Sequence, residues 1–354
     1  MDLKKKIIFS LLRQHKRNQA QIHELNYLFW ECTLRCNLNC VHCGSDCTKE
    51  SAIPDMPLPD FLKVLDSITP HINPNKTIIV ITGGEPLMRK DLEQCGMEFY
   101  RRGFPWGIVT NGYSLTAGCF EKLLQAGLRS ITVSFDGLEQ NHDWFRGKKS
   151  SWKHALEAIK MVASTENLVY DVVSCVNKKN IDELDQIKKI LIGANVKAWR
   201  LFHVFPKGRA ENNPDLKLSN NEFRQMMDFI KQTRKEGLIK ASFGCEGFLG
   251  DYELEVRDNP FFCQAGIKIG SVLIDGSISA CPSLRADYIQ GNIYTDDFWT
   301  VWNERYQIMR ERSWTKTGKC AQCKSYKYCE GNGLHLRDEK TGELLCCHLE
   351  KLQP

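Results

Sequence analysis

Long hydrophobic runs are missing from this chain. The only apolar stretch near its start is Ile7-Ile8-Phe9, continued by Leu11-Leu12 across Ser10. A membrane-spanning helix needs roughly 20 such residues, and no small-residue cleavage site follows, so a cytoplasmic protein is expected. Neither a GxxxxGK[ST] nor a GxGxxG pattern occurs, which argues against nucleoside triphosphate and nicotinamide sites. Internal repeats and low-complexity tracts are also absent. Residues 1–25 carry six Lys or Arg against two acids but are too short and too poor in aromatics to suggest nucleic acid binding. Two readings of this basic leader remain: a helix touching a membrane surface or acidic partner, or a solvated helix packed on the domain edge. The second is expected.

The 354 residues are 42% hydrophobic and 26% charged, with a net charge of +5, as in a soluble globular protein of one large or two ordinary domains. From residue 26 the pattern alternates. Strands are predicted over 26–30, 77–81, 107–109, 130–135, 169–175 and 196–204. Helices are predicted over 57–69, 88–102, 114–125, 151–164 and 182–192. Six strands alternating with helices give an α/β fold of parallel βαβ units, either an open sheet or a partial barrel, with chemistry at the C-terminal strand ends. An amphipathic helix is predicted at about 219–236, and a Cys- and Gly-rich region of short segments follows. The expected organisation is a leader (1–25), an α/β domain with its linker helix (26–239) and a small C-terminal domain (240–354).

Sixteen cysteines are the anomaly. A reducing compartment would keep them as thiols, and their clustering points to metal. Cys32, Cys47, Cys95, Cys119 and Cys175 stand alone or beside a tighter group and read as small buried hydrophobes. Cys36, Cys40 and Cys43 form CxxxCxxC directly after the first strand. Three thiolates can hold three irons of a [4Fe–4S] cluster and leave the fourth open to a ligand, whereas full ligation takes four. Zinc with His42 or Cys47 as fourth ligand is the alternative. Gly83-Gly84-Glu85-Pro86 follows the second strand, where paired glycines let the backbone approach a ligand closely. At the C-terminal side stand Cys320, Cys323 and Cys329, then Cys346 and Cys347, with Cys245, Cys263 and Cys281 upstream; spacing alone allows zinc or an iron–sulfur cluster.

CxxxCxxC after the first strand and GGE after the second together resemble the radical S-adenosylmethionine (SAM) superfamily. The resemblance implies a partial (β/α)6 barrel and a cluster whose open iron chelates SAM. One-electron cleavage of SAM would yield a 5′-deoxyadenosyl radical that abstracts hydrogen from substrate, with a flavodoxin- or ferredoxin-type electron donor. It also implies that His42 lies near the adenine and that the backbone of Gly83, Gly84, Glu85 and Pro86 meets the SAM amino group. Ser134 and Asp136 would contact the ribose and carboxylate, and Asn111, between Thr110 and Gly112, would line the same site. Asn177 and Arg146 are further candidates, against a strand-end cap and a solvated cation.

The C-terminal region is similar to the SPASM domain, which carries auxiliary [4Fe–4S] clusters, so that Cys263 to Cys281 would form its opening hairpin around Asp275-Gly276. One auxiliary cluster would use Cys320, Cys323, Cys329 and Cys347, with Cys346 as the alternative last ligand. The other would use Cys263 and Cys281, with Cys245 as third. Its usual fourth ligand falls at Gly333, a departure that leaves an open iron, a substitute in His335 or Cys346, or no cluster. The chain start, Trp30–Thr33 and Gly331–Leu336 also resemble a bacterial subgroup paired with small lipoproteins. SPASM enzymes mostly oxidise or crosslink peptides and proteins, so a peptide or protein substrate is expected. Pro282 replaces the Asp that anaerobic sulfatase-maturing members carry, against that activity. The alternatives are oxidation of a small molecule and a non-catalytic electron carrier or zinc-stapled module. Asp143, His203, Glu246, Asp251 and Tyr252 read as surface or satisfied polar groups, and no acid or base is chosen.

Overall fold

The computed structural model describes residues 3–204, 206–244 and 246–353. In chain order these form α1 (Leu3–Ile22), β1 (Tyr27–Thr33), α2 (Leu58–Ile68), β2 (Ile78–Gly83), α3 (Leu92–Arg101) and β3 (Trp106–Thr110). Next come α4 (Ala117–Gln125), β4 (Leu128–Ser134), α5 (Glu139–Arg146), α6 (Ser151–Ala163), β5 (Val169–Val176), α7 (Leu184–Gly193) and β6 (Ala198–His203). The remainder holds α8 (Asn220–Glu236), β7 (Lys240–Phe243), β8 (Ile269–Val272), β9 (Ser277–Ser279), β10 (Gly291–Asn292), α9 (Phe298–Glu304) and several shorter turns of helix.

One sheet runs in the order β10-β9-β8-β1-β2-β3-β4-β5-β6-β7. The pairings from β8 through β7 are all parallel, so the six expected barrel strands are flanked by β7 beyond β6 and by β8 beside β1. Each expected strand is present within a few residues of its predicted ends. Three features were not foreseen: α5, the added parallel strand β7, and the way the C-terminal hairpin β8–β9 continues the barrel sheet through β1.

Alternating side chains along the strands build the core. Leu28 and Trp30 of β1, Ile79 and Ile81 of β2, and Trp106 and Ile108 of β3 are buried beneath the helices. The Trp30 ring stacks on Phe61 of α2 at 4.5 Å and meets Phe99 of α3 edge-on at 5.8 Å, locking the first two helical crossovers to the sheet. Because paired residues such as Trp30↔Ile81, Ile81↔Ile108 and Ile108↔Ile131 fall in step, the parallel barrel strands β1 to β6 end at one rim. That rim collects the CxxxCxxC loop, GGEP, Thr110-Asn111-Gly112, Ser134–Gly137 and the ends of β5 and β6.

The basic leader is a docked helix. Phe9, 1% exposed, packs on Phe248 and Tyr328, and the buried Lys16 donates to the Tyr328 carbonyl at 2.7 Å. Ile7 and Leu11 face outward. Among the described residues no helix is long and apolar enough to cross a membrane. Truncating a buried Phe costs about 3–5 kcal/mol when its neighbours cannot collapse around the gap. Phe9→Ala is therefore expected to lower the melting temperature and to abolish slow amide hydrogen exchange across residues 3–22; retained protection there would contradict the docking.

Candidate functional site

The exit of β2 lies hard against the exit of β1. Gly83 takes φ +134°, and a Cβ there would sit 2.1 Å from the Thr33 carbonyl oxygen; at Gly84 it would sit 2.3 Å from that of Arg35. Only glycine permits this approach. The Gly84 and Glu85 N–H groups donate to the Thr33 and Arg35 carbonyls at 2.7 and 2.9 Å, fastening GGEP to the segment that enters the cysteine loop. With those donors engaged, a ligand ammonium would have to meet carbonyl oxygens here. Glu85 turns its buried carboxylate inward, accepting from Thr110 Oγ1 at 2.7 Å, Asn111 N at 2.8 Å and Leu87 N at 3.2 Å. Pro86 is buried beside it. The motif thus joins three strand ends.

The three cysteines of the loop share one small cluster with Leu38 and Cys47, Cys36 buried and Cys40 and Cys43 half-buried. Each sulfur meets a donor from a different element: Asn111 Nδ2 at 3.9 Å from Cys36, Arg146 Nη1 at 3.8 Å from Cys40, and the Cys47 amide at 3.3 Å from Cys43. Cys47 is therefore part of the site, and Cys175 lines the adjoining cleft, whereas Cys32 and Cys95 are plain core residues. Burial pushes the Cys36 thiol up to about 11, while the hydrogen bond with Cys47 pulls Cys43 down. A bound cation would reverse such burial effects by favouring thiolates. Three thiols, no fourth one among them beyond the hydrogen-bonded Cys47, and a glycine cradle alongside form a donor set that fits an open-iron cluster and its ligand.

Helix α5 braces this loop. Asn39 and Val41 N–H donate to the Arg146 and Phe145 carbonyls at 3.2 and 3.0 Å, and the left-handed Gly147 leaves room for the Asn39 carbonyl. His42 is half-buried, stacks on Phe145 with centroids 3.8 Å apart, and keeps a buried Nδ1 with no partner. Burial pushes its pKa down to about 3. Asp136, 1% exposed, accepts from Arg146 Nε at 2.6 Å and from the Cys175 amide at 2.8 Å. Arg146 is a buried bridge from Asp136 to Cys40, not a solvated cation. Asn111 also donates to Asn37 Oδ1 at 2.8 Å, and Ser134 is buried at the end of β4. Asn177 caps the β5 exit through the Lys179 amide at 2.9 Å.

A cleft of about 890 Å³ opens beside the loop. Its walls include Glu31, His42, Thr82, Gly83 and His203 from the barrel, and Pro282, Arg285 and Asp338–Lys340 from the C-terminal region. Sequence reasoning named His203 and Glu246 only as surface or satisfied polar groups and missed that they pair with each other beside this cleft. Both are buried, and His203 Nδ1 lies 2.5 Å from Glu246 Oε2. Burial disfavours both charges, yet their mutual attraction raises His203 to about 9 and lowers Glu246 to about 2. Nothing in the local sequence signals the pair, because the partners are strand ends 43 residues apart. Of the other polar residues weighed, Asp143 accepts from Ser150, Ser151 and Trp152 to start α6, and Tyr252 donates to Asp228.

The C-terminal cysteines separate into two groups. Cys320, Cys323, Cys329 and Cys347 line one cavity of about 380 Å³ together with Phe248 and Asn332. Arg337 Nη2 lies 3.3 Å from Cys320 Sγ. Cys346 is not on that cavity but faces His203. Cys263 and Cys281 are half-buried at the edge of the main core, at either side of the β8–β9 hairpin with its Asp275-Gly276 turn. Cys245 lies outside the described residues. A Cβ at Gly333 would sit 2.4 Å from the Glu246 carbonyl and 2.8 Å from the His335 ring, so the packing leaves no room for a side chain there.

Asp136 gives the site a pH signature. Burial alone would raise its pKa, but the Arg146 charge holds it below the ordinary carboxylate value. The carboxylate's stabilisation is therefore complete above about pH 4 and is lost as pH falls through the lowered pKa. Asp136→Asn would leave Arg146 buried without its counter-charge, a change that costs about 3–5 kcal/mol. Denaturant unfolding should show that loss at pH 7 and one smaller by up to about 1 kcal/mol at pH 3; equal losses at both would refute the pairing.

Comparison with known proteins agrees with this geometry. The radical SAM superfamily matches residues 30–191, and an iron–sulfur cluster-binding SPASM domain matches residues 263–324, together more than half of the chain. An AdoMet-dependent heme synthase of Methanosarcina barkeri is 25% identical over 320 residues, covering 85% of this chain and 89% of that protein. The mycofactocin maturase MftC of Mycolicibacterium smegmatis is 27% identical, covering 86% and 76%. The crystal structure of Streptococcus suis SuiB bound to the precursor peptide SuiA superimposes with a TM-score of 0.68 at 16% identity, covering 91% and 75%, a likeness of fold. With its parallel barrel, its rim of three thiols and glycines, and its cysteine-rich C-terminal extension, the chain belongs to the radical SAM superfamily as an enzyme of SAM and [4Fe–4S] clusters with a C-terminal SPASM domain.

Proposed function

We propose that this chain modifies a peptide or protein segment by hydrogen abstraction, with Cys36, Cys40 and Cys43 holding the SAM-binding cluster and Cys320, Cys323, Cys329 and Cys347 an auxiliary one. When bound, the cluster and SAM supply a 5′-deoxyadenosyl radical. The residues of the chain bind and orient. Gly83 and Gly84 offer carbonyls to the SAM ammonium, His42 presents a flat face backed by Phe145, and Arg146 and Asn111 donate toward the cluster sulfurs. Asp136, saturated by Arg146 and the Cys175 amide, acts by positioning Arg146.

The observation that carries the substrate class is the charge pattern of the cleft. Two of its three Lys and Arg cations are already matched, Arg285 with Glu31 and Lys207 with Glu339 at 2.5 Å, while Lys340 completes the wall. Glu211 and Asp338 add further acid on the same walls. Such mixed polarity suits the alternating donors and acceptors of a peptide backbone. A polycarboxylate macrocycle would need an excess of unpaired cations. The second reading, a tetrapyrrole substrate, is favoured by relatives named as AdoMet-dependent heme synthase and Fe-coproporphyrin III synthase.

The test follows 5′-deoxyadenosine formation by the anaerobically reconstituted, dithionite-reduced enzyme. The peptide reading predicts that a host-cell peptide fraction raises the yield at least tenfold over the uncoupled background, and that protease treatment of the fraction removes the effect. Stimulation that survives protease, or that iron-coproporphyrin reproduces, would overturn it. Cys36→Ala, Cys40→Ala and Cys43→Ala should each abolish the product in either case.

A further inference from the structure

Four side chains with metal-binding chemistry meet in the barrel wall beside the cleft. His203 ends β6, Glu246 follows β7, and Cys346 and His348 come from the C-terminal tail. His203, Glu246 and His348 are 3%, 2% and 0% exposed. Glu246 Oε2 lies 2.5 Å from His203 Nδ1 and 3.4 Å from His348 Nε2. That leaves His203 Nε2 turned to Cys346 Sγ at 4.0 Å. One ligand atom each from His203, His348 and Cys346 lie within 4.8 Å of one another.

We infer that His203, His348 and Cys346 bind a zinc ion, with Glu246 fixing the orientation of His203. Donor atoms around tetrahedral zinc stand about 3.3–3.8 Å apart, so a contraction of about an ångström brings these three into one shell and leaves its fourth position to water. Two imidazoles and one thiolate are a zinc-type donor set, and a carboxylate behind a ligating histidine is the usual second support of such sites. Charge balance agrees. Binding releases two protons, one from the Cys346 thiol and one from the Nε2 of the His203 imidazolium, after which the thiolate and the Glu246 carboxylate neutralise the dication.

The tail is shaped for the task. Cys347 is extended, with φ −110° and ψ 106°, so its neighbours on either side project to one face and its own thiol to the other. Cys346 and His348 accordingly reach His203, while Cys347 lines the cysteine cavity with Cys320, Cys323 and Cys329. A Cβ at Gly247 would fall 2.1 Å from His348 Nδ1, so the His348 ring fits only against glycine. The ion would clasp the tail to β6 next to the cleft, in which His203 and Leu345 both appear.

The test offers one equivalent of zinc chloride to the anaerobically reconstituted holoenzyme, removes loosely held metal with a chelator, and measures zinc, iron and the zinc K-edge absorption spectrum. The expected result is about one retained zinc per chain, with a single sulfur at about 2.3 Å and nitrogen or oxygen at about 2.0 Å. Cys346→Ser and His348→Gln should each lower retention at least tenfold while iron stays constant. No chelator-resistant zinc, or a shell of several sulfurs, would overturn the inference, and the wild-type spectrum decides this even if a variant fails to fold. Loss of iron in Cys346→Ser would overturn it too, by assigning that thiol to a cluster.

Discussion

The approach of two glycines to two carbonyls is the constraint on which this site depends. Gly83 and Gly84 bring the end of β2 within hydrogen-bonding distance of Thr33 and Arg35, and any Cβ would drive the strand ends apart. That contact sets the cysteine loop beside the GGEP turn. Through the Glu85 carboxylate it then sets the position of Thr110 and Asn111 on the next strand. Three strand ends become one rigid unit, and a ligand between the loop and the glycines meets backbone already in place.

A second, electrostatic tie closes the far side. Asp136 at the β4 exit holds Arg146, and Arg146 reaches Cys40 while its backbone carbonyl accepts from Asn39. One buried ion pair thus links the sheet, helix α5 and the cysteine loop. Charge near a cluster sulfur tunes its potential, so with the proposed cluster in place the arginine that braces the loop would also bear on that potential. The C-terminal region is built onto this frame and not beside it: β8 pairs with β1, Glu31 of β1 pairs with Arg285, and α1 is held by Phe248 and Tyr328.

Much of this was legible in the sequence because it is local. A β-branched run such as Thr77–Ile81 can only be a buried strand, and alternation of such runs with amphipathic helices fixes a parallel sheet. CxxxCxxC and GGEP each fall within a few residues of a strand end, so their meeting followed from the parallel order alone. Helix α5 was not legible, since it is only eight residues long and half of them are charged or histidine side chains. Its burial of Arg146 depends on a partner ten residues back. The His203, Glu246, Cys346 and His348 group was invisible for a stronger reason: three separate stretches supply it, and none has metal-ligand spacing by itself. At Gly333, by contrast, the sequence flagged a departure, and the crowding by Glu246 and His335 supplies its physical cause.

The most direct test of the central claim is electron paramagnetic resonance of the dithionite-reduced protein with and without SAM. An open iron at the Cys36, Cys40 and Cys43 loop predicts that SAM shifts the g values of one [4Fe–4S] signal, and that this signal alone disappears when the three residues are changed to alanine. Signals that SAM leaves unmoved, or that survive intact in the triple variant, would contradict the account.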